Sequence, residues 1–259
     1  MGQALVKAFL SSRMVEAEDV YVSDLNADVL KSLSEETGVH TSLDPSEFLE
    51  GVDVLFLAVK PQDMMGLLSD IGEHIKDCLL VSVAAGVSTE SIEKRVEAGR
   101  VIRVMPNMPV LVSEAAAGYC LGESALDDDE AVIQDLFGAV GVCVKVEEEL
   151  MDAVTGLSGS GPAYVYYFIK ALAAGGVKQG LPEETALALA TQTVRGAADL
   201  LKSEDKSPAE LIDEVASPGG TTIEALKVFD EKQMEETIVE AVSAASDKAK
   251  NFPWISGNI

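Results

Sequence analysis

Residues 53–59 read Asp-Val-Leu-Phe-Leu-Ala-Val, a nearly continuous apolar run that stands between Gly51 and Pro61. A run of this length and composition predicts a β-strand covered on both faces, as in a parallel sheet flanked by helices. Outward from it, up to about residue 146, short β-rich runs alternate with segments of helical periodicity. This alternation predicts an α/β domain built on a parallel sheet.

The character of the sequence changes near Glu147. Beyond it almost every segment has helical periodicity, and several segments begin with Pro, Ser or Thr, which favour helix starts. The predicted helices cover residues 162–179, 182–203, 208–215, 222–230 and 233–251. The chain therefore divides into an α/β domain, residues 1–149, and an all-α domain, residues 150–259. The apolar faces of the helical half exceed what so small a domain can bury, which predicts a dimer through residues 160–259.

Composition excludes several classes of function. The net charge of −25 argues against nucleic acid as a partner, because phosphate binding needs clusters of Lys and Arg. Three widely spaced cysteines and two histidines form no disulfide framework and no metal-spaced pattern, so we expect no metal site. The apolar stretches fall short of the roughly 18 residues of a membrane span, and no signal peptide is visible. We expect a cytoplasmic protein that binds no membrane.

The start of the chain resembles the end of a dinucleotide-binding fingerprint. Such domains begin with a strand and then Gly-x-Gly-x-x-Gly at a helix start, where glycines and helix amides meet the pyrophosphate. Here Gly2 stands in the place of the third glycine, and Asp24 ends the next predicted strand, where a ribose-binding carboxylate belongs. Alone, an ordinary helix start and a turn aspartate explain these residues better. Residues 159–162, Gly-Ser-Gly-Pro, predict a turn into a helix and not a phosphate loop.

Residues 217–222 read Ser-Pro-Gly-Gly-Thr-Thr and lead directly into the helical run 223–226. Two glycines before a helix, flanked by hydroxyls, expose backbone amides at the positive end of the helix dipole. This pattern suits a substrate carboxylate. Taken alone, a plain inter-helix turn with a Thr N-cap is the commoner explanation.

Read together, the motifs resemble the pyrroline-5-carboxylate reductase family, from Gly2 to about Asn251. The motifs that carry the resemblance occupy residues 58–62, 82–87, 103–109, 156–164, 180–182 and 217–222. The resemblance implies a Rossmann-type domain followed by a helical dimerisation domain, with the active site shared between subunits. It further implies reduction of 1-pyrroline-5-carboxylate to L-proline by hydride from NAD(P)H, the last step of proline biosynthesis. A homodimer, or a higher oligomer of dimers, is expected.

The resemblance also assigns site residues. Positions that match cofactor contacts, together with Asp24, are Gly2, Ala58, Val59, Lys60, Pro61, Ala84, Ala85, Gly86 and Asn107. Positions that match substrate contacts are Ser217, Gly219, Gly220, Thr221, Thr222 and, less directly, Glu204. Hydride addition to an imine needs a donor near its nitrogen, and Thr222 is our candidate catalytic residue. The family favours NADPH. NADH is the alternative, because Asp24 would repel a 2′-phosphate and the nearest base is Lys31.

The sequence departs from the family at its start. The family has about ten further residues, which form a central strand with the first two fingerprint glycines, so Met1 matches an internal methionine of the fingerprint. We expect either a start upstream or a non-catalytic truncated remnant. Another imine or 3-hydroxy acid reductase of the same architecture is a further alternative. It needs a helical lysine, for which Lys170 and Lys178 are poor candidates on a solvent face.

Overall fold

A computed structural model of the chain describes residues 1–96 and 99–252. The sequence also predicts a helix at residues 89–97. Its last residue and the tail of the domain expected at 150–259 lie outside the described residues. Two compact units are present. One comprises Met1–Ser160 and the end of the last helix from Ser243, and the other is Gly161–Val242. The domain boundary between residues 149 and 150 stays a prediction from the sequence.

The first unit alternates strands and helices, as the sequence predicts. Its strands are β1 (Tyr21–Ser23), β2 (His40–Ser42), β3 (Val54–Leu57), β4 (Leu79–Ser82), β5 (Arg100–Met105), β6 (Ala115–Leu121) and β7 (Gly141–Lys145). Its α-helices are α1 (Gly2–Ser11), α2 (Ala27–Thr37), α3 (Pro61–Ile71), α4 (Thr89–Glu93), α5 (Asp127–Gly138) and α6 (Met151–Val154). Turns of 3-10 helix lie at Ala17–Asp19, Pro45–Glu47, Gly72–His74, Met108–Val112 and Glu148–Leu150, and one π-helical turn lies at Thr155–Gly159.

The strands form a parallel pair, β1-β2, and a five-stranded sheet in the order β3-β4-β5-β6-β7. Within residues 1–96 and 99–252, no strand pairs with the second edge of β1 or of β3. In a complete doubly wound sheet, the first strand of the fold lies between the strands that correspond to β1 and β3 of this chain. The observed pairing is therefore the one expected of a Rossmann-type sheet without that strand.

Two sheet features differ from the prediction. Residues 53–59 were expected to be covered on both faces, but Val54, Leu55 and Phe56 are only half-buried, because β3 is an edge strand of its sheet. Strand β6 runs antiparallel to β5, whereas the other pairs of this sheet are parallel. The link from β5 to β6 contains only a short 3-10 helix, and a parallel crossover needs a dozen or more residues.

The core of the first unit lies on both faces of the five-stranded sheet. On one face α1 and α5 pack through Phe9 and Phe137, whose rings meet edge to face with centroids 5.5 Å apart. On the other face α3 and α4 bury Met64, Leu68 and Ile92. Burial of these apolar side chains stabilises the sheet, and the sheet in turn positions the turns at its carboxyl edge.

The second unit is helical. Its helices are α7 (Gly161–Lys178), α8 (Glu183–Ser203), α9 (Pro208–Val215), α10 (Thr221–Glu231) and the first part of α11 (Met234–Lys250). These bounds lie within a residue or two of the predicted ones. Helices α7 and α8 pack closely at Gly176, where an added methyl would lie 3.1 Å from Cβ of Ala186. Helix α9 begins with a capping box between Ser207 and Glu210.

Large apolar side chains remain exposed on the helical unit. Helices α7, α9 and α10 contain no buried residue. Exposed examples are Tyr166, Tyr167, Leu187, Leu189, Ile212, Val228, Ile238 and Val239. An apolar surface of this extent needs a partner, as the sequence predicts. Within the described residues, no helix is long and apolar enough to cross a membrane.

Candidate functional site

Small residues meet at the carboxyl edge of β3 and β4. The start of α1 lies against the turn after β3, because a methyl placed on Gly2 would be 3.2 Å from Cβ of Ala58. That turn continues through Val59 and Lys60 to Pro61, the first residue of α3. Leu57 pairs with Ser82 in register, so the turn that contains Ala84, Ala85 and Gly86 begins beside it. These predicted cofactor residues therefore line one edge of the sheet.

Gly86 has φ +73°, a conformation that glycine adopts at least cost. The turn then passes through Ser88 into α4. Ser88 caps this helix by accepting a hydrogen bond of 3.2 Å from the Ser91 N–H. At the other end of the turn, the Val83 N–H donates to the Leu57 carbonyl at 3.2 Å. The turn between β4 and α4 is thus held by hydrogen bonds at both ends.

Asp24 follows β1, as predicted, and is exposed. One of its oxygens accepts a hydrogen bond from the Asn26 N–H at 2.9 Å, while Asn26 caps α2. The adjacent Leu25 is 96% exposed, so within the described residues no side chain covers it. Lys31, the nearest base in sequence, lies 3.9 Å from Glu35 and is itself exposed.

Asn107, the last predicted cofactor residue, is buried and already hydrogen-bonded. Its amide oxygen accepts from the Ala116 N–H, and its amide nitrogen donates to the Ser158 carbonyl, both at 3.0 Å. Ser158 lies in the π-helical turn, where the Ser160 N–H reaches the Thr155 carbonyl at 2.9 Å. The predicted turn at residues 159–162 is reduced to a bend at Ser160, because Gly159 ends the π-helical turn and α7 begins at Gly161. The segment follows a helix rather than a strand. Asn107 therefore holds this turn against β6.

The loop of residues 217–222 lies between α9 and α10 and is held in a tight turn. Gly219 has φ +74°, and the Gly220 N–H donates to the Ser217 carbonyl at 2.9 Å. Gly220 is the N-cap of α10, and no side chain caps the helix. The alternative of a Thr N-cap is therefore wrong. Among the described residues, no acceptor takes the N–H groups of Thr221 or Thr222.

Two consequences follow for this loop. The Gly220 amide is used inside the turn, so the groups that can meet an anion are the amides of Gly219, Thr221 and Thr222. A methyl added to Gly219 would meet no atom within 4 Å, which shows that the space above the loop is open. The hydroxyl of the half-buried Thr222 has no hydrogen-bond partner in the described part of the chain. The amides at such a helix start can bind a carboxylate. The neighbouring Thr222 hydroxyl can donate a hydrogen bond to the same ligand.

Glu204 ends α8 and pairs with a neighbouring lysine. Its carboxylate lies 3.4 Å from Nζ of Lys206, which also lies 2.9 Å from the carboxylate of Glu214 in α9. The hydrogen bond to Glu214, followed by that to Glu204, raises the pKa of Lys206 above its usual value. Glu204 is thus tied to the helix that leads into the loop of residues 217–222.

Comparison with known proteins decides the family. A pyrroline-5-carboxylate reductase from Methanosarcina acetivorans is 41% identical over 97% of this chain and 94% of its own length. The chain belongs to the pyrroline-5-carboxylate reductase family. The enzyme of that name from Arabidopsis thaliana is 42% identical over 97% of this chain and 92% of its own. Models of two families also match: pyrroline-5-carboxylate reductase dimerisation at residues 148–252, and NADP oxidoreductase, coenzyme F420-dependent, at residues 1–86.

Solved structures of this reductase family share the fold. The reductase from Coxiella burnetii superposes with a TM-score of 0.88 at 33% identity, over 96% of this chain and 93% of its own. The pyrroline carboxylate reductase from Plasmodium falciparum, solved with NADP bound, gives a TM-score of 0.87 at 30% identity over the same shares of the two chains. The predicted fold class, a Rossmann-type domain plus an all-α dimerisation domain, is confirmed.

One part of the site was not predicted from sequence. Glu148, before α6, accepts hydrogen bonds from both the N–H and the hydroxyl of Thr89, at 2.9 and 2.8 Å. Arg103 of β5, which is 5% exposed, lies 3.4 Å from the same carboxylate. Partners separated by 59 residues leave no periodic signal in a single sequence.

Proposed function

We propose that this chain reduces 1-pyrroline-5-carboxylate to L-proline with hydride from NAD(P)H, the last step of proline biosynthesis. Membership of the reductase family supports the reaction. The observation that carries the assignment of the substrate site is the uncapped start of α10, where the amides of Thr221 and Thr222 have no acceptor in the described residues. A small anionic ring supplies such an acceptor.

The cofactor is held, in this proposal, at the carboxyl edge of β3 and β4. The residues there fit a dinucleotide because Gly2, Ala58, Ala84 and Ala85 carry no bulky side chain and Gly86 bends the backbone sharply. Val59, Lys60 and Pro61 form the adjoining wall. When bound, the reduced nicotinamide supplies the hydride. Asn107 shapes the nicotinamide end by holding the π-helical turn, since both polar groups of its side chain are engaged.

We propose NADPH as the preferred cofactor, with NADH as the alternative. The NADP-bound relative from Plasmodium falciparum supports NADPH. Asp24 opposes it, because a carboxylate in this position favours a free 2′-hydroxyl and repels a 2′-phosphate. Leu25 beside it offers no charge, and Lys31 is the nearest cation in sequence. Comparing the two cofactors on one preparation decides the preference directly.

The substrate carboxylate is held by the amides of Gly219, Thr221 and Thr222, with the hydroxyls of Ser217 and Thr221 beside them. The positive end of the α10 dipole favours a negative charge there. Fixing the carboxylate orients the ring and so the imine carbon that accepts hydride. Gly220 supports this arrangement by bonding to Ser217 and shaping the turn.

Thr222 donates a hydrogen bond to the imine nitrogen, directly or through water, and the proton that the nitrogen gains as hydride arrives comes from solvent through this hydroxyl or water. The imine carbon accepts hydride readily only when its nitrogen is protonated or hydrogen-bonded. The Thr222 hydroxyl, which has no partner in the described residues, belongs to a residue whose own amide takes part in the proposed carboxylate site. Glu204 contributes by fixing Lys206, and through it Glu214 at the end of α9. In this proposal the amides of the loop bind the substrate carboxylate, and the Thr222 hydroxyl contacts the imine nitrogen.

The functional unit in this proposal is a homodimer, with a higher oligomer of dimers as the alternative. The match to the reductase dimerisation family at residues 148–252 and the exposed apolar helices support it. No nucleic acid and no membrane is proposed as a partner. A cytoplasmic location stays a prediction from the sequence.

The reaction is tested by mixing the purified chain with 1-pyrroline-5-carboxylate and either NADPH or NADH. We expect consumption of the reduced cofactor together with an equal amount of L-proline, identified by mass spectrometry. A truncated remnant would bind neither cofactor in a fluorescence titration, and a hydroxy-acid enzyme would oxidise 3-hydroxy acids instead. Either of those results contradicts the proposed function.

A further inference from the structure

The turn between β4 and α4 is fixed by one carboxylate from a distant part of the chain. Both oxygens of Glu148 are used: Oε1 accepts from the Thr89 N–H at 2.9 Å, and Oε2 accepts from Oγ1 of Thr89 at 2.8 Å. Thr89 is the first residue of α4 and is 4% exposed. Because Thr89 ends the turn that begins at Val83, Glu148 fixes the end of that turn together with the Ser88 cap.

Arg103 connects the two ends of the same turn. Arg103 pairs in register with Ser82, the last residue of β4, and therefore lies beside the point where the turn begins. Its guanidinium Nη1 lies 3.4 Å from Oε1 of Glu148, which holds the point where the turn ends. Nη2 lies 3.8 Å from Asp152, too far for a hydrogen bond, and has no hydrogen-bond partner in the described residues. In the part of the chain that the structure describes, Glu148 is therefore the one carboxylate hydrogen-bonded to this buried arginine.

We infer that Glu148 is a positioning residue for the cofactor site. It acts through Thr89, and it sets the backbone of Ala84, Ala85 and Gly86 at the distance and direction that a dinucleotide requires. The inference rests on the proposed function, which assigns those three residues to the cofactor. Glu148 has no part in the hydride or proton transfer and does not contact the substrate.

The energetics favour this role. A carboxylate that accepts two hydrogen bonds in a partly buried place holds its donors more firmly than a neutral acceptor does. Gln at position 148 keeps the shape of the side chain and can still pair with Thr89, because its oxygen can accept from the N–H and its NH₂ can donate to Oγ1, but both bonds lose the assistance of the carboxylate charge. It also removes the negative charge beside the buried Arg103. Glu148→Gln therefore loosens the end of the turn while leaving the sheet intact.

The test compares Glu148→Gln and Thr89→Val with Glu149→Gln in the full chain. Glu149 is the adjacent exposed carboxylate and has no hydrogen bond or ion pair within the described residues, so its change is a matched control. Measured are the Kd for NADPH by fluorescence titration, the kcat at saturating NADPH, the KM for 1-pyrroline-5-carboxylate, and the Tm. We expect Glu148→Gln to raise the Kd for NADPH about tenfold, with Thr89→Val in the same direction. The kcat at saturation and the imine KM stay near the starting values, and Glu149→Gln changes none of them.

The outcomes separate this inference from the proposed function. A lower Tm with an unchanged Kd for NADPH in Glu148→Gln shows a merely structural residue and overturns the inference, while the reductase assignment stands. If Glu148→Gln does not fold, Thr89→Val decides in its place, since it removes one hydrogen bond and no charge. An unsubstituted chain that makes no proline and binds no dinucleotide overturns the proposed function, and the inference with it. In the supporting case, hydrogen–deuterium exchange is faster at residues 84–89 in Glu148→Gln than in Glu149→Gln.

Discussion

Two turns in this chain have the same local form but different helix starts. Gly86 at φ +73° precedes α4, and Gly219 at φ +74° precedes α10. The start of α4 is occupied by the protein itself, through Ser88 and Glu148. The start of α10 has no side-chain cap among the residues that the structure describes. The free N–H groups at a helix start need acceptors. Where the protein supplies those acceptors, as at α4, the helix start serves as scaffold; where it does not, as at α10, the helix start is suited to bind a ligand.

The largest expected effect comes from removing the hydroxyl beside the uncapped start. Thr222→Ala should lower kcat by about 10² to 10⁴, the usual contribution of a positioned proton donor, with a smaller change in the KM for the imine. Thr222→Ser restores the hydroxyl and should recover most of the turnover. The matched control is Thr193→Ala on α8, whose exposed hydroxyl donates to the Leu189 carbonyl and has no other partner in residues 1–96 and 99–252. Full turnover in Thr222→Ala removes Thr222 from its proposed role.

A change at Gly219 tests the backbone of the uncapped start. Gly219→Val places a β-branched residue at φ +74°, a conformation that costs about 1 to 3 kcal/mol, although the added side chain would meet open space. We expect the KM for 1-pyrroline-5-carboxylate to rise about tenfold, because the amides no longer point at the carboxylate. Gly219→Asn, which tolerates this conformation better, should have a milder effect. Equal KM values for the two variants would show that the loop conformation is irrelevant to binding.

The occupied start of α4 should respond in stability rather than in substrate binding. Ser88→Ala removes an N-cap worth about 1 kcal/mol, which lowers Tm by about 2 to 4 °C for a chain of this size. The KM for the imine should not change. Ser69→Ala is a suitable control, since that exposed hydroxyl bonds inside α3 to the Met65 carbonyl. A rise in the imine KM of Ser88→Ala, without a fall in Tm, would contradict the distinction between the two helix starts.

The smallest expected effect is a loss of stability at alkaline pH, caused by a buried thiol near the turn between β4 and α4. Burial raises the pKa of Cys120, which pairs with Arg103 across β5 and β6, to about 12 from 9.0. The folded state therefore keeps a proton that the unfolded state loses, so stability is complete below about pH 9 and declines as pH rises toward 12. The urea midpoint should fall between about pH 8 and about pH 10.5. Cys120→Ala should show a weaker decline, and an identical slope in both proteins would refute the role of this thiol.

The sequence predicts the turn before α10 better than the contact that fixes the turn before α4. The loop of residues 217–222 was recognised because its glycines and threonines are consecutive and stand before a strong helical pattern. Its Gly220 amide was expected to bind the ligand, yet it bonds to Ser217, since turn closure depends on backbone angles that residue types alone do not give. The Glu148–Thr89 contact could not be predicted, because it joins residues from distant segments that only the folded sheet brings together.

The same limit applies to the fold. Helices α8 and α9 were placed within a residue because Pro182, Ser207 and Pro208 mark their starts. The burial of residues 53–59 was overestimated, because an apolar run does not reveal whether a neighbouring strand covers its edge. The antiparallel direction of β6 follows from a short connection rather than from strand composition. Local signals therefore predict the elements and the loop of residues 217–222, whereas the burial of β3, the direction of β6 and the Glu148–Thr89 contact depend on long-range pairing.

The most direct measurement is a crystal structure of the full chain soaked with L-proline and NADP. The account predicts the proline carboxylate within hydrogen-bond distance of the amides of Gly219, Thr221 and Thr222, and its ring nitrogen near the Thr222 hydroxyl. Proline bound elsewhere, with no ligand at these amides, would contradict the claim that the uncapped start of α10 holds the substrate.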